Sequence, residues 1–253
     1  MNDSNSNWRI IDLQTNPAAM NMALDEAISN AISNNESSPT IRFYRWQPSA
    51  VSIGYFQSLQ DEVNTQKCSE LGVDIVRRRT GGGAVYHDFN GEITYSIIGK
   101  EELFPKDLTQ SYKVICGYLV DGLSSLGLNA SFHPINDILV DGRKISGNAQ
   151  TRRNGILLQH GTVLYDLDVE KMFTVLRVTQ EKISDKLIQS VKQRVTRILD
   201  FKQLSMDEVK NALVDSFTRD KSFEFGEYSK KELRQANKLV KQRYSNNEWN
   251  AMR

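Results

Sequence analysis

The sequence predicts an α+β fold in which a mixed or antiparallel β-sheet is packed with helices. In several segments between residues 40 and 165, apolar residues alternate with polar ones, as is typical of strands. Helical periodicity marks one segment before residue 30, a long segment after residue 110 and most of the chain beyond Leu167. We therefore expect a central sheet, helices packed on it and a helical C-terminal third.

Composition and charge fit one globular domain spanning residues 1–253. The chain has 32 Lys and Arg against 31 Asp and Glu, a net charge of +1 that gives no bulk attraction to nucleic acid or membranes. Two cysteines are too few for a disulfide framework or a structural zinc cluster. With no long apolar run and no secretory signal, the sequence favours a cytoplasmic protein that binds neither nucleic acid nor membrane.

The first half of the chain begins with a polar stretch, residues 1–10, that is expected to be flexible. A helix should follow, with Asn16 as its N-cap and Pro17 at its first position, and the Ser- and Asn-rich residues 30–38 should end it. Beyond this helix the pattern predicts strands over 41–44 and 51–55, a helix over 61–72, strands over 73–76 and 93–97, and a helix over 112–126.

The second half contains a hairpin signal, because Asp141-Gly142 joins two β-prone runs, 138–140 and 143–146. A further strand is predicted over 156–165. Helices are predicted over 169–176, 207–217 and 230–244.

The most unusual segment is VRRRTGGGAVYHD, residues 76–88, in which a strand runs into three glycines. Glycines let a backbone lie close to a ligand, and exposed N–H groups in such a loop can cradle phosphate oxygens. Arg78 or Arg79 could neutralise those oxygens. A plain glycine-rich turn with solvated arginines stays open as the alternative, since neither GxxxxGK[ST] nor GxGxxG is matched.

Two other segments carry candidate polar groups. In INDILVDGRKISGNAQ, residues 135–150, a carboxylate at a strand start can hold magnesium and a lysine on the return strand can sit between anions. In LQHGTVLY, residues 158–165, His160 lies on an apolar strand face. An exposed polar hairpin and a core histidine are the alternatives. His87 beside Asp88 is equally ambiguous.

Taken together and in this order, the segments resemble the lipoate-protein ligase A family, which groups with biotin ligases and octanoyltransferases. The resemblance covers nearly the whole chain and implies the biotin/lipoyl-ligase, class II synthetase-like catalytic domain. It is carried by MNMALDEA (20–27), IRFYRW (41–46), SIGYFQ (52–57), RRRTGGGAVYHD (77–88), Asn136-Asp137, DGRKISGNAQ (141–150), HGTVL (160–164) and YSNNEWN (244–250).

The resemblance also implies roles for particular residues. Lys144 would be catalytic and would contact both the lipoyl carboxyl group and the nucleotide phosphate. Asp137 would hold Mg²⁺, and Gly82 and His160 would line the lipoate site together with Lys144. The ATP site would comprise Arg78, Gly83, Ala84, Val85, Tyr86, Asn136 and Lys144.

The implied reaction is ATP-dependent. Lipoic acid would react with ATP and Mg²⁺ to give lipoyl-AMP, and the lipoyl group would pass to a lysine of a lipoyl acceptor domain. That acceptor could be the E2 subunit of a 2-oxoacid dehydrogenase, the glycine-cleavage H protein or a lipoate-binding protein. Many ligases of this family carry a small accessory domain after the motif that ends here at Asn250, so a separate accessory subunit is expected, or an enzyme that works without one.

Cysteine usage distinguishes the ligase from its relatives. The resemblance places an acyl-enzyme cysteine of octanoyltransferases and lipoyl amidotransferases either shortly before the hairpin or just before the HG strand. Here residues 128–134 read LNASFHP and residues 154–161 read NGILLQHG, without cysteine. Cys68 and Cys116 are expected to be packing residues. An ATP-independent octanoyl or lipoyl transferase, or a non-catalytic protein that binds lipoyl-adenylate or a lipoyl domain, remains the alternative.

Overall fold

The structure, a computed structural model, describes residues 7–177 and 194–253. Its strands are β1 (Trp8–Asn16), β2 (Thr40–Trp46), β3 (Ala50–Ile53), β4 (Asp74–Arg77), β5 (Val85–His87), β6 (Glu92–Lys100), β7 (Ala130–His133), β8 (Asp137–Val140), β9 (Arg143–Arg153), β10 (Ile156–Leu164) and β11 (Phe223–Phe225). Its α-helices are α1 (Ala18–Ser33), α2 (Leu59–Glu62), α3 (Thr65–Glu70), α4 (Leu108–Ser125), α5 (Val169–Val175), α6 (Met206–Thr218), α7 (Lys230–Leu239) and α8 (Asn247–Asn250).

Two sheets form the framework, which confirms the predicted α+β class with a mixed sheet. The large sheet has the order β11-β1-β2-β6-β10-β9-β8-β7. Strand β1 runs parallel to both of its neighbours, and the remaining pairs are antiparallel. In the small sheet β3 lies between β4, which is parallel to it, and β5, which is antiparallel.

Helices cover the large sheet. Helix α1 contacts β2, β6 and β10 and is enclosed on its other side by α7. It is therefore buried on most of its surface, and even Asp25 and Glu26 are covered. Helix α4 packs against α6 and the β7–β8 edge, with Ile115, Leu119 and Leu123 fully buried. In the ranges described, no helix combines the length and apolar composition needed to span a membrane.

The structure corrects several predicted boundaries. Trp8 begins β1 and is buried, so the prediction of a flexible N-terminus over 1–10 is wrong for residues 8–10, and residues 1–6 lie outside the described ranges. Pro17 is the N-cap of α1 because its backbone is extended, with ψ of 156°, and the helix continues to Ser33. The predicted 61–72 helix is two short helices separated around Val63, which is fully buried in an extended conformation.

The sequence pattern did not predict several short elements. Strand β11, strand β7 and helix α8 contain three or four residues each, too few to show a period. The predicted 230–244 helix is α-helical only as far as Leu239, the end of α7, and Val240–Tyr244 then forms a π-helical turn. Helix α8 is fixed to the end of β4, because the Arg77 guanidinium donates to the carbonyls of Trp249 and Asn250.

Candidate active site

A pocket of about 300 Å³ opens where the small sheet meets the centre of the large one. One set of its lining groups is polar and comes from the glycine loop, the β8–β9 hairpin and β10. The other set is largely apolar. The polar residues include Arg78, Asn136, Lys144, Asn148 and His160, and the apolar or aromatic ones include Met22, Trp46, Leu164, Leu167, Met172, Leu176 and Val195.

The glycine loop, residues 80–84, forms one wall of this pocket. Its carbonyl groups point into the protein, because those of Gly81 and Gly83 accept hydrogen bonds from Arg78 at 2.9 and 2.7 Å. Gly82 has a φ of +94°, and its carbonyl oxygen lies 2.0 Å from where a Cβ on Gly54 would be. In the described residues the N–H groups of Gly81, Gly82 and Gly83 have no protein acceptor. They are therefore available to an anionic ligand.

Arg78 fixes the glycine loop through hydrogen bonds to its carbonyl groups. It is 4% exposed, and it forms no ion pair with a carboxylate in the described ranges. All five of its N–H groups are used: Nε donates to Thr80, one terminal nitrogen donates to the carbonyl and hydroxyl oxygens of Ser52, and the other donates to Gly81 and Gly83. Burial lowers the pKa of Arg78 to about 10, which leaves it cationic at neutral pH. The residue thus supplies a fixed positive charge, not free hydrogen-bond donors.

The opposite wall is the predicted hairpin. Asp141 and Gly142 both have positive φ, 47° and 76°, as a two-residue type I′ turn requires. The β8–β9 register shifts between Ile138 and Leu139, which pair with Ser146 and Lys144. The extra residue on β9 is Ile145, which is fully buried. Because a bulge re-aims the side chains beside it, Lys144 lines the pocket while Ile145 fills the core.

Lys144 forms an ion pair with Asp137, with 2.7 Å between Nζ and Oδ1. Both side chains are partly exposed, at 41% and 30%. Gly147 lies beside the lysine, since a Cβ there would come within 3.1 Å of Nζ. The ammonium group is therefore held at the pocket by a carboxylate. An incoming anion can replace that carboxylate as the partner of Lys144, and an incoming cation can bind Asp137 in place of the lysine.

A magnesium site would have to be built around Asp137. No cluster of three or more His, Cys, Asp or Glu side chains suited to a metal occurs in residues 7–177 and 194–253. Magnesium bound with nucleotides commonly uses one or two carboxylates, with phosphate oxygens and water as its other ligands. The partly exposed Asp137 beside the pocket fits that donor set.

Asn136 and Asn148 close the hairpin onto itself. The Asn136 side chain donates to the Asn148 carbonyl, and the Asn148 side chain donates to the Asn136 carbonyl at 2.9 Å. Asn148 also accepts from Tyr95 at 2.7 Å and abuts Gly161, where a Cβ would be 1.9 Å from its Oδ1. Asn136 therefore acts on the pocket partly by fixing the shape of this wall.

His160 is buried between the glycine loop and helix α1. Its Nε2 lies 2.7 Å from the Thr80 hydroxyl, and its Nδ1 lies 3.4 Å from Asp25 Oδ2. Burial lowers the pKa of His160 below its usual value of 6.5, and the positive charge of Arg78 adds to this effect, while Asp25 opposes it. Neutral imidazole is thus the form that the fold accommodates.

We expect this burial to make the protein less stable in mild acid. The unfolded chain takes up a proton on His160 near pH 6.5, whereas the folded chain resists it. The free energy of unfolding should therefore fall as the pH drops from above 6.5 towards the lower folded pKa, and this part of the slope should vanish in His160→Gln. Urea unfolding of both proteins at several pH values above the range in which Asp25 titrates measures it.

His133→Gln is the matched control, because His133 is exposed on β7. It should keep the slope of the unmodified protein. An identical pH dependence in His160→Gln and the unmodified protein would show that His160 is not the group responsible.

Neither cysteine reaches the pocket. Cys68 and Cys116 are 1% and 0% exposed, and neither lines the cavity. Burial raises the pKa of the Cys68 thiol to about 11 and that of Cys116 to about 12. A buried thiol with a raised pKa is a poor nucleophile.

The fold brings the predicted site residues together. All of them line this pocket except Asp137, whose carboxylate pairs with the pocket-lining Lys144. Sequence reasoning missed Ser52, Asp25 and Asn148, although all three lie within the motifs SIGYFQ, MNMALDEA and DGRKISGNAQ. It also missed Met172 and Leu176, which lie in a segment whose pattern predicts only an ordinary helix, and Val195, which lies outside every predicted element.

Comparison with known proteins identifies the family of this chain. The family model for the lipoyl protein ligase A/B catalytic domain matches residues 17–218. Octanoyltransferase LipM of Halalkalibacterium halodurans is 36% identical over 96% of this chain and 98% of that protein. A bipartite lipoate protein ligase from Thermoplasma acidophilum, solved with its E2 lipoyl domain, has a TM-score of 0.88 at 34% identity and covers 97% of this chain and 96% of its own.

A lipoate-protein ligase A bound with ATP is also similar, with a TM-score of 0.83 at 32% identity over 97% of this chain and 98% of that one. The similar proteins thus include an octanoyltransferase and two ligases, all matched over nearly their full length. The chain belongs to the lipoyl protein ligase A/B catalytic domain family.

Proposed function

We propose that this protein is an ATP-dependent lipoate-protein ligase, or its catalytic subunit. It activates lipoic acid to lipoyl-AMP and transfers the lipoyl group to a lysine of a lipoyl acceptor domain. The observation that carries the proposal is the pocket, which sets a cationic, N–H-lined end beside an apolar end and contains no cysteine.

The first step joins two anions, so the site must supply positive charge and alignment. A lipoate carboxylate oxygen attacks the α-phosphorus of ATP, an O–P bond forms, the bond between the α-phosphorus and its bridging oxygen breaks, and pyrophosphate leaves with the electron pair. Arg78 contributes a fixed charge, and the glycine-loop N–H groups contribute donors. Lys144 can contact both the carboxylate and the phosphate once its ion pair with Asp137 yields.

The second step forms an amide. The acceptor lysine amine attacks the carbonyl carbon of lipoyl-AMP, the bond from that carbon to the phosphate oxygen breaks, AMP leaves, and the amine releases one proton. Negative charge develops on the carbonyl oxygen, and the proposed role of the Lys144 ammonium group, which lines the pocket, is to stabilise that charge. No protein nucleophile is required.

Magnesium, held by Asp137 and the phosphates, would neutralise charge on the triphosphate. The apolar lining would take the aliphatic chain and the dithiolane ring. We propose a lipoyl domain as the acceptor, with a glycine-cleavage H protein or a lipoate-binding protein as further acceptors. The relative solved with its E2 lipoyl domain supports this proposal. A separate accessory subunit that promotes adenylation is compatible with the chemistry.

The octanoyltransferase relative favours a second candidate function, ATP-independent transfer of an octanoyl or lipoyl group through a cysteine acyl-enzyme. This route needs a reactive thiol at the pocket. Cys68 and Cys116 are both buried away from it with raised pKa values, which is why we place this candidate second.

The donor requirement tests both candidates. A purified lipoyl domain is incubated with the protein in three mixtures, and the intact mass of the lipoyl domain is then measured. The first mixture contains lipoate, Mg²⁺ and ATP, and the second is the same without ATP. The third contains octanoyl-loaded acyl carrier protein without ATP. The proposal predicts a lipoyl-sized increase only with ATP. An octanoyl-sized increase from the carrier protein without ATP would overturn it in favour of the second candidate.

Replacing both cysteines distinguishes the adenylate route from the cysteine acyl-enzyme route. The Cys68→Ala/Cys116→Ala variant should retain transfer to within about twofold, because neither thiol takes part in adenylate chemistry. The loss of two buried sulfur atoms should lower the free energy of unfolding by about 1–2 kcal/mol. Transfer rate and thermal unfolding measure the two effects, and loss of transfer in a variant that remains folded would implicate a thiol.

A further inference from the structure

Arg78 is the meeting point of two buried chains of hydrogen bonds, each made of a hydroxyl, a histidine and a carboxylate. We propose that His160 and His87 are positioning residues, which as neutral hydrogen-bond acceptors lock Thr80 and Ser52 onto Arg78 and thereby hold the glycine loop and the charge of Arg78 in place for an anionic acyl-adenylate. This inference rests on the proposed function only for the identity of the ligand.

The first chain runs through His160. Thr80 Oγ1 accepts from Arg78 Nε at 3.1 Å and lies 2.7 Å from His160 Nε2. His160 Nδ1 faces Asp25, whose other oxygen accepts from Arg42 and Ser96, both at 2.8 Å. Thr80 is fully buried, so water cannot replace these partners.

The second chain runs through His87. Ser52 Oγ accepts from Arg78 at 3.1 Å and lies 2.8 Å from His87 Nε2. His87 Nδ1 lies 2.7 Å from Glu92 Oε1, and the imidazole stacks on Trp46 with 4.0 Å between ring centres. The two chains thus repeat the same chemistry on different strands and converge on a single guanidinium.

The partners of each imidazole favour one direction for both chains. Arg78 can only donate, so the oxygens of Thr80 and Ser52 accept from it. Each Nδ1 faces a carboxylate, that of Asp25 or Glu92, so a neutral imidazole carries its hydrogen on Nδ1 and Nε2 is an acceptor. Among the described contacts, this Nε2 is the acceptor that the hydroxyl hydrogen can reach. A protonated Nε2 would leave the hydroxyl hydrogen without a partner and add a positive charge near Arg78.

The arrangement keeps the charge of Arg78 available to a ligand. A carboxylate in direct contact with the guanidinium would neutralise it, and among the described residues none is in contact. The nearest acidic partners in the two chains are separated from it by a hydroxyl and an imidazole. Arg78 is thereby fully hydrogen-bonded but electrostatically unpaired, which suits a wall that faces phosphate or carboxylate oxygens.

The tautomers can be measured without any assumption about function. The protein has three histidines, so ¹⁵N NMR of the imidazole nitrogens, assigned with single His→Gln variants, can report each one. At neutral pH His87 and His160 should both appear as the Nδ1–H tautomer, while the exposed His133 serves as the reference. A protonated Nε2 on either buried histidine would overturn the proposal.

A second measurement tests the positioning role. Thr80→Val removes the hydroxyl at nearly constant shape, and Thr80→Ser keeps it. With folding checked by thermal unfolding, the affinity for a non-hydrolysable lipoyl-sulfamoyl-adenosine should fall at least tenfold in Thr80→Val and stay within about threefold in Thr80→Ser. Equal affinity in the valine variant and the unmodified protein would overturn the role, whereas failure of the unmodified protein to bind the probe would count against the proposed function.

Discussion

Lys144→Ala is expected to lower the rate of lipoyl transfer by about 10²–10³-fold, the loss typical of removing one group that stabilises an oxyanion. Among the residues that the structure describes at the pocket, Arg78 is fixed by its own hydrogen bonds, whereas Lys144 is held by an ion pair with Asp137 that a ligand can displace. Because Lys144 would act on developing charge in both steps, kcat should fall more than KM for lipoate rises. Steady-state kinetics with a lipoyl domain and ATP measure this difference.

Arg143→Ala on the same hairpin is the control. Arg143 faces away from the pocket towards Asp200 and Phe201, so its loss should leave kcat within about twofold. The fold should survive in both variants because each side chain is partly exposed. A Lys144→Ala protein with full activity would remove this residue from the catalytic role.

Gly54→Ala is expected to weaken nucleotide and adenylate binding by two orders of magnitude or more. The added methyl carbon would come 2.0 Å from the carbonyl oxygen of Gly82 and 3.2 Å from the Gly81 carbonyl carbon. Both contacts are with backbone, so the glycine loop must move away from Arg78. Calorimetric titration with the lipoyl-sulfamoyl-adenosine probe measures the loss.

Gly117→Ala provides the comparison for this substitution. Gly117 lies in helix α4 with open space around its Cα, so alanine should raise the stability by roughly 0.5–1 kcal/mol and leave binding unchanged. If Gly54→Ala bound the probe as tightly as the unmodified protein, the close packing of the loop against Gly54 would not matter for the ligand.

Local signals in the sequence were enough for the elements that carry the site. Asp141-Gly142 predicted a hairpin because only a few residues tolerate two successive positive φ values, and both residues adopt them. The three glycines predicted a close backbone approach, which occurs between Gly82 and Gly54. The resemblance then supplied the residues that the fold gathers at one pocket.

Long-range contacts explain what could not be predicted. His160 meets Thr80 across 80 positions and Asp25 across 135 positions, and no periodic pattern links them. The sequence suggests Arg78 as a group that could neutralise phosphate oxygens, but it does not show that each of its N–H donors is already used within the protein. The bulge that turns Lys144 towards the pocket depends on the pairing register of β8 with β9, which the β9 sequence alone does not specify.

Supplying the adenylate itself tests the proposed transfer step without the activation step. Synthetic lipoyl-AMP is mixed with the protein and a purified lipoyl domain without ATP, and the intact masses of both proteins are followed through one turnover. We predict a lipoyl-sized increase on the lipoyl domain, release of AMP and no covalent adduct on this protein. An acyl adduct on this protein that precedes the modified domain, or no transfer from lipoyl-AMP to a domain that other lipoate ligases modify, would contradict the adenylate route.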